Sequence, residues 1–446
     1  MKITLSLSLT FLTLLNAQGY GLEDCIEIAL GGKTTIHSSE LAVVSAEHGL
    51  KGSYSGFLPA INASTNSSRT QFPESSNTTF VYSDSTLDAR TTTTDHYNNL
   101  SAGITLNQTL YNGGRSVNQI KQAKSQLEIA KLGHRNITIQ VIQKVIESYY
   151  GLLKAQQLHE VAIKNLEMSN QQVVLVKKQY DLGVVKRTDL LKADVSQGQA
   201  KVELLSRKTN LENARRVLFN DMGLQDFGQN ITAIEREWIV PIIPNSADIL
   251  NQLKKQNPSL LISNERINGG EVAYKMAKGM RLPHLNSSLS YSANGENSTE
   301  LMDAIKEDWS LGMSISLNIP IYNGNTLATQ QVQAKLNKDK YEYDYITLLN
   351  DLRVQGELIS KILENYSEII PINKAVVASA EEDLKLVRER YSLGSATILE
   401  VLDAQVSLIR ANSTLINTIH DARIQEANLK SLLGTLDIEY QIKENQ

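Results

Sequence analysis

The stretch Arg390-Tyr-Ser-Leu-Gly-Ser-Ala-Thr-Ile-Leu-Glu-Val-Leu-Asp-Ala-Gln405 decides how the chain is read. Its echo, Gln179-Tyr-Asp-Leu-Gly-Val-Val-Lys-Arg-Thr-Asp-Leu-Leu-Lys-Ala-Asp194, lies 211 positions earlier. Tyr391, Leu393, Gly394, Leu402, Ala404, Val406, Ser407 and Ala411 repeat Tyr180, Leu182, Gly183, Leu191, Ala193, Val195, Ser196 and Ala200. A glycine just after a long apolar-periodic segment is a helix stop, because it takes positive φ without steric cost. A second helical pattern starts at once after each. Gly183 and Gly394 therefore mark the turns of two helix hairpins, and the function should depend on where those tips point.

Working outward, the copies extend far beyond the tips. Leu22–Leu58 matches Ser246–Leu282 at an offset of 224, and from Tyr111 and Tyr322 to Gly223 and Gly434 the offset is 211. The difference lies between Pro59 and Tyr111, where residues 66–94 are rich in Ser, Thr and Asn and read as polar loop. Residues 18–223 thus form a first repeat, 224–245 a connector of the equatorial region, 246–434 a second repeat and 435–446 a polar, mobile tail. Each repeat is expected to run short helix, helix, strand, loop, strand, very long helix, tip, helix.

The second strand of each repeat is the sharpest signal. Trp309, Leu311, Met313, Ile315, Leu317, Ile319 and Ile321 alternate with Ser310, Gly312, Ser314, Ser316, Asn318 and Pro320. Leu100, Ala102, Ile104, Leu106 and Leu110 form the matching row in the first repeat, broken by Gln108. Period two places each row on one face of a sheet. An ordinary sheet with one face on a core fits this pattern. A membrane barrel fits better, because the opposite face is small and uncharged and Tyr97, Tyr111, Trp309 and Tyr322 bound the strands.

Arg115–Tyr180 and Thr326–Tyr391 are 66 residues each, and each reads as a helix of about 100 Å. Such lengths call for coiled-coil packing. Pro371, with Glu160 as its counterpart, is expected to kink the second of these helices. Thr188–Asn220 and Thr397–Leu432 are the shorter helices after the tips.

Residues 1–17 have the layout of a secretory signal peptide: Lys2, an apolar run from Ile3 to Leu15, and a small residue at Ala17. The single cysteine, Cys25, follows Leu22-Glu23-Asp24, which does not fit lipid attachment, and it reads as a buried residue of a short helix. The net charge of −4 gives no reason to expect nucleic acid. Gly52-Ser-Tyr-Ser-Gly56 has Tyr where a nucleophile would stand, and Gly113-Gly114-Arg115-Ser116 lacks the lysine of a phosphate loop. The seven histidines are scattered. No enzyme, cofactor or metal site is expected.

Taken together, the doubled layout, Leu58-Pro59 and Leu282-Pro283, Asn257-Pro258-Ser259-Leu260, Pro320-Ile321-Tyr322-Asn323-Gly324 and Tyr391-Ser-Leu-Gly394 followed by Leu399-Glu-Val-Leu-Asp403-Ala404 resemble the TolC-like outer-membrane efflux proteins. The resemblance spans Leu22 to Gly434. In the first repeat Lys33-Thr34-Thr35-Ile36 stands in place of the Asn-Pro motif. The resemblance implies a membrane α+β fold: a trimeric twelve-stranded outer-membrane β-barrel, four strands per chain, continued by a long α-helical coiled-coil tunnel through the periplasm. It further implies an exit duct of a tripartite efflux or type I secretion system, working as a homotrimer with a periplasmic adaptor (membrane fusion) protein and an inner-membrane transporter. Drugs, small molecules or proteins would be its cargo, and outer-membrane lipid its surroundings. A periplasmic coiled-coil scaffold or adhesin without a pore is the other reading of the same helices.

The resemblance also assigns residues at the tip. It implies a periplasmic gate in which Tyr391 bonds to Asp189, beside Thr188, while the arginine that would bond Thr188 is replaced by Ala396; Lys186 or Arg187 stand ready to substitute. Glu400 and Asp403 are three apart and share a helix face, more than a turn from the helix start for Glu400. With Asp189 and Lys192 at the same positions in the first repeat, two uncompensated acids remain. Around a three-fold axis they make a pore acid ring. Gly183 and Gly394 mark the turns that an adaptor would touch.

Overall fold

In the computed structural model the described residues are 20–83, 86–224 and 241–441. The expected signal peptide, with Ala17, and most of the expected connector 224–245 lie outside them. In chain order the elements are α1 (Leu22–Gly32), α2 (Thr34–Ser53), a 3-10 turn (Tyr54–Phe57), β1 (Ala60–Ser83), β2 (Thr86–Asn112), α3 (Arg115–Asp181) and α4 (Arg187–Met222). There follow α5 (Ser246–Gln256), α6 (Pro258–Gly279), β3 (His284–Gly295), α7 (Ser298–Lys306), β4 (Ser310–Asn318), α8 (Thr326–Ser392), α9 (Ile398–Leu433) and α10 (Leu436–Gln441). The two long helices and their shorter companions fall within two residues of where the apolar periodicity places them. The α8 helix runs without interruption through Pro371, which is exposed. Among the described residues no helix is long and apolar enough to cross a membrane.

The chain divides into two compact units, one of Met1–Val43, Ile129–Asn264 and Tyr343–Gln446, the other of Val44–Glu128 and Glu265–Glu342. The second holds a four-stranded antiparallel sheet in the order β1-β2-β3-β4. Its pairing puts Ala63, Ile104 and Tyr291 in one row with Leu311, and Ile61, Leu106 and Leu289 in the next with Met313. On the other face Ser288 and Ser314 hydroxyls bond at 2.8 Å, and those of Ser292 and Ser310 at 2.9 Å. One face is thus apolar and the other a ladder of small hydroxyls, and all nine residues of β4 are exposed. Gln108 stays in the row, opposite Ser287. A register shift between Thr109 and Tyr111 leaves Leu110 unpaired and brings Tyr111 opposite Leu285, so Tyr111 rather than Leu110 continues the apolar row.

Two expectations are corrected in this unit. Residues 66–94 are not loop. They carry β1 and β2 onward as a two-stranded ribbon, paired from Ser67↔Leu100 to Ser83↔Thr86, with a bulge between Gln71 and Ser75. Threonine suits an exposed strand, and Thr78 bonds Thr91 across the ribbon at 3.0 Å. The segment between β3 and β4 contains α7 instead of a plain loop.

In the other unit a core joins Cys25, Ile26 and Ala29 of α1 to Ile142, Tyr149 and Leu152 of α3, to Leu218, Phe219 and Met222 of α4, and to Leu436 of α10. Cys25 is buried as expected, and burial, helped by the charge of Asp24, pushes its thiol up to about 12. A second core gathers Ile249 and Leu253 of α5, Leu260 of α6, Leu363 of α8 and Leu433 of α9. The expected mobile tail is also corrected: α10 packs, with Leu436 only 1% exposed. Arg135 of α3 fixes it by donating through Nε to Asp437 at 2.7 Å, through Nη1 to the Gln256 carbonyl and through Nη2 to the Gly434 carbonyl. Asn257, where the Asn-Pro motif stands, accepts from the Leu260 N–H at 2.8 Å and donates to the Leu432 carbonyl at 2.7 Å. Lys33, which sequence comparison sets against Asn257, donates through Nζ to the Asn220 carbonyl.

Candidate functional site: the helix-hairpin tips

Both tips end their long helices in the same way. Gly183 has φ +75° and Gly394 φ +77°, and no atom lies within 4 Å of a Cβ placed on either. Glycine is needed there for its backbone angle and not for lack of room. The Gly183 N–H bonds the Tyr180 carbonyl and the Val184 N–H bonds that of Gln179, both at 2.8 Å; Gly394 and Ser395 do the same to Tyr391 and Arg390. These paired bonds are the Schellman closure of a helix C-terminus. Leu182, Val184 and Leu393 are left largely exposed at the turns.

Behind the turns, Val176 of α3 and Ala193 of α4 pack with Leu384, Val387 and Tyr391 of α8 and Ile398, Val401 and Ala404 of α9. Ala396 is half-buried against this cluster, so apolar packing stands where the resemblance would place an arginine. Lys186 and Arg187 are exposed.

Tyr391 is 7% exposed, and its hydroxyl donates to Gln179 Oε1 at 2.8 Å. The expected bond to Asp189 is not the one formed. Asp189 Oδ2 instead accepts from the Lys186 N–H at 3.4 Å, at the start of its own helix. Its charge is still close enough to matter: burial first, and Asp189 second, raise the Tyr391 phenol above its ordinary value. Thr188 is exposed and Asp189 half-buried.

The acids differ from expectation too. Glu400 lies in the first turn of α9, not beyond it. Its Oε1 accepts from the Thr397 N–H at 3.1 Å and from the Thr397 hydroxyl at 3.0 Å, while the Glu400 N–H donates to that hydroxyl at 3.3 Å. This reciprocal cap satisfies two N–H groups at the helix start. Glu400 is not uncompensated either, since Arg390 lies 3.6 Å away. The Thr397 backbone bond chiefly, then its hydroxyl and Arg390, hold the Glu400 carboxyl below its usual range. Asp403 is exposed and one turn further along the same helix.

Two features escaped the sequence reading. Gln179 is one, a glutamine in a polar helix end with nothing to mark it. The other is a buried polar knot: Gln405, 2% exposed, donates through Nε2 to Asn165 Oδ1 at 2.7 Å and to the Ser169 hydroxyl at 3.0 Å, joining α9 to α3. Among the described residues no group of three His, Cys, Asp or Glu is placed to hold a metal ion.

Paired helix hairpins and a two-faced four-stranded sheet are the features that define the class of protein to which this chain is compared. Residues 25–224 and 249–435 match the outer membrane efflux protein family, and the chain belongs to it. The outer membrane efflux protein BepC of Brucella suis biovar 1 (strain 1330) is 24% identical over 438 residues, covering 96% of this chain and 89% of its own. The outer membrane protein TolC of Escherichia coli (strain K12) is 25% identical over 360 residues, covering 76% and 70%. Among solved structures, the fold of CusC superposes with a TM-score of 0.80 at 17% identity, over 95% of each chain. The chain is thus an outer-membrane transport protein of Gram-negative type and not an enzyme.

Proposed function

We propose that three copies of this chain form a passive exit duct, a twelve-stranded barrel in the outer membrane continued by a helical tunnel in the periplasm. The observation that carries this reading is the sheet. Four strands cannot close on themselves, and unpaired edges are not tolerated in lipid, where each open backbone group costs several kcal/mol. The edges of β1 and β4 are free to pair with the next copy, and nine-residue β4 suits a tilted membrane strand. Three chains give twelve strands and a lumen, into which the serine ladder would face. The helix pairs α3–α4 and α8–α9, ending in like turns, support an internal duplication that lets each chain add four columns to the tunnel.

In this reading the tips are the periplasmic gate. The exposed Leu182, Val184 and Leu393 offer an apolar surface to an adaptor, which in turn engages an inner-membrane transporter. Cargo, whether drugs, small molecules or proteins, is chosen by that transporter. Tyr391 with Gln179 ties the hairpins together, Thr188 and Asp189 line the facing turn, and Asp403 with the partly offset Glu400 sets the charge of the narrow end. The purified protein should run as a trimer in mild detergent, fractionate with the outer membrane and conduct ions across planar bilayers. A monomer in the soluble periplasmic fraction would refute the duct.

A further inference from the structure

The helix α7 has a face that neither the sheet nor the duct uses. Leu301 and Ala304 are buried against Ala293, with Leu100 and Ala102 beside them, so α7 lies on the apolar face of the sheet. Both ends of the helix are hydrogen-bonded. Asn297 accepts from the Glu300 N–H at 3.0 Å and donates to its carboxylate at 2.7 Å, and Glu300 also accepts from the Glu296 N–H at 2.9 Å. At the other end Tyr291 donates to the Ile305 carbonyl at 2.6 Å and stacks on Trp309 with ring centres 5.6 Å apart. Gly295 allows the approach, since a Cβ there would stand 2.5 Å from the Leu301 nitrogen.

One helical step round from the buried stripe, Met302 and Ile305 are exposed, and Trp309, in the link between α7 and β4, is exposed as well. Asp303 and Lys306 make a third, charged face. Trp309, stacked on Tyr291, adjoins the exposed apolar row Leu311, Met313 and Ile315 of β4, whose Leu311 pairs with Tyr291. A helix with one side on protein, one apolar side open and one charged side suits the boundary between acyl chains and water. An indole at its end is the residue type enriched at that depth.

We propose that α7 is an interfacial collar helix, its Met302, Ile305 and Trp309 stripe immersed in the outer-leaflet lipid at the rim of the barrel. This inference rests on the barrel reading, because it takes the apolar face of the sheet to be the lipid face. The helix then sets the depth at which the barrel sits and covers the end of β3 and the part of β2 beside it, around Leu100 and Ala102.

The test attaches an environment-sensitive fluorophore through single cysteines at Met302→Cys, Asp303→Cys and Met313→Cys. Cys25, buried and with its thiol pushed up to about 12, stays unmodified at neutral pH. The trimer is placed in phosphatidylcholine vesicles carrying a nitroxide either near the headgroup or deep in the acyl chain, with iodide as the aqueous quencher. The label at 302 should respond most to the shallow nitroxide, that at 313 to the deep one and that at 303 to iodide. A 302 label as open to iodide as 303 overturns the collar, and so does one shielded from lipid and iodide alike, which would mean that a second copy covers α7. If the 313 label also ignores both nitroxides, the barrel reading itself fails.

Discussion

At the residue scale the tip bond is made by two neutral groups, Tyr391 and Gln179. A hydrogen bond of this kind contributes about 0.5–1.5 kcal/mol. Tyr391→Phe and Gln179→Ala should therefore each raise the open probability of the reconstituted channel by roughly threefold to tenfold, with the double variant no worse than either single one. Since neither partner titrates near neutrality, closure should be unchanged between pH 7 and pH 5. A loss of closure over that range would point to a carboxylate acceptor instead. Glu400 behaves differently. Its folded-state pKa is depressed, so its capping contribution is present above the ordinary carboxylate value of about 4.3 and disappears as pH falls through the lower folded value. Asp403→Asn should reduce cation selectivity more than Glu400→Gln, because Arg390 already offsets Glu400. Equal effects in reversal-potential measurements would show that Arg390 does not face Glu400 in the assembled pore. Gln179 was not legible as a tip residue, since a glutamine declares neither burial nor partner; Tyr391, periodic with the core, was.

At the element scale, Arg135 holds a place that no local pattern announces. It joins α3 to the end of α5, 121 residues away in sequence, and to Gly434 and α10, 299 and 302 residues away. Breaking a buried ion pair costs about 3–5 kcal/mol, and with Arg135 a quarter exposed the lower end applies. Arg135→Ala should lower stability by about 3 kcal/mol in denaturant titration of the assembled protein, and a stop codon after Gly434 should do comparable damage. A truncated chain as stable as the intact one would show that α10 is dispensable. The long helices were readable because glycine turns punctuate an unbroken apolar period. The β1–β2 ribbon was not, because strand recognition leans on apolar alternation, and Ser, Thr and Asn on both faces of an exposed ribbon supply none. Leu436 and Asp437 misled for a related reason: in six residues of a polar tail, the partners that bury them are too distant in sequence to be inferred.

At the scale of the whole molecule, one core has its ends far apart in the chain. Cys25, Ile26 and Ala29 open it, and Leu436 closes it. During synthesis and export the first residues to emerge therefore wait for almost the last before their burial is complete. Contacts of such sequence separation are slow to form, and an incomplete chain exposes both its apolar helix stripes and the free edges of its sheet. Residues up to 223 lack Ala427 and Leu436, so they cannot fill the core they begin. A chain cut short of Ala427 and Leu436 would therefore leave this core open, with its apolar helix stripes bared to a chaperone or a protease.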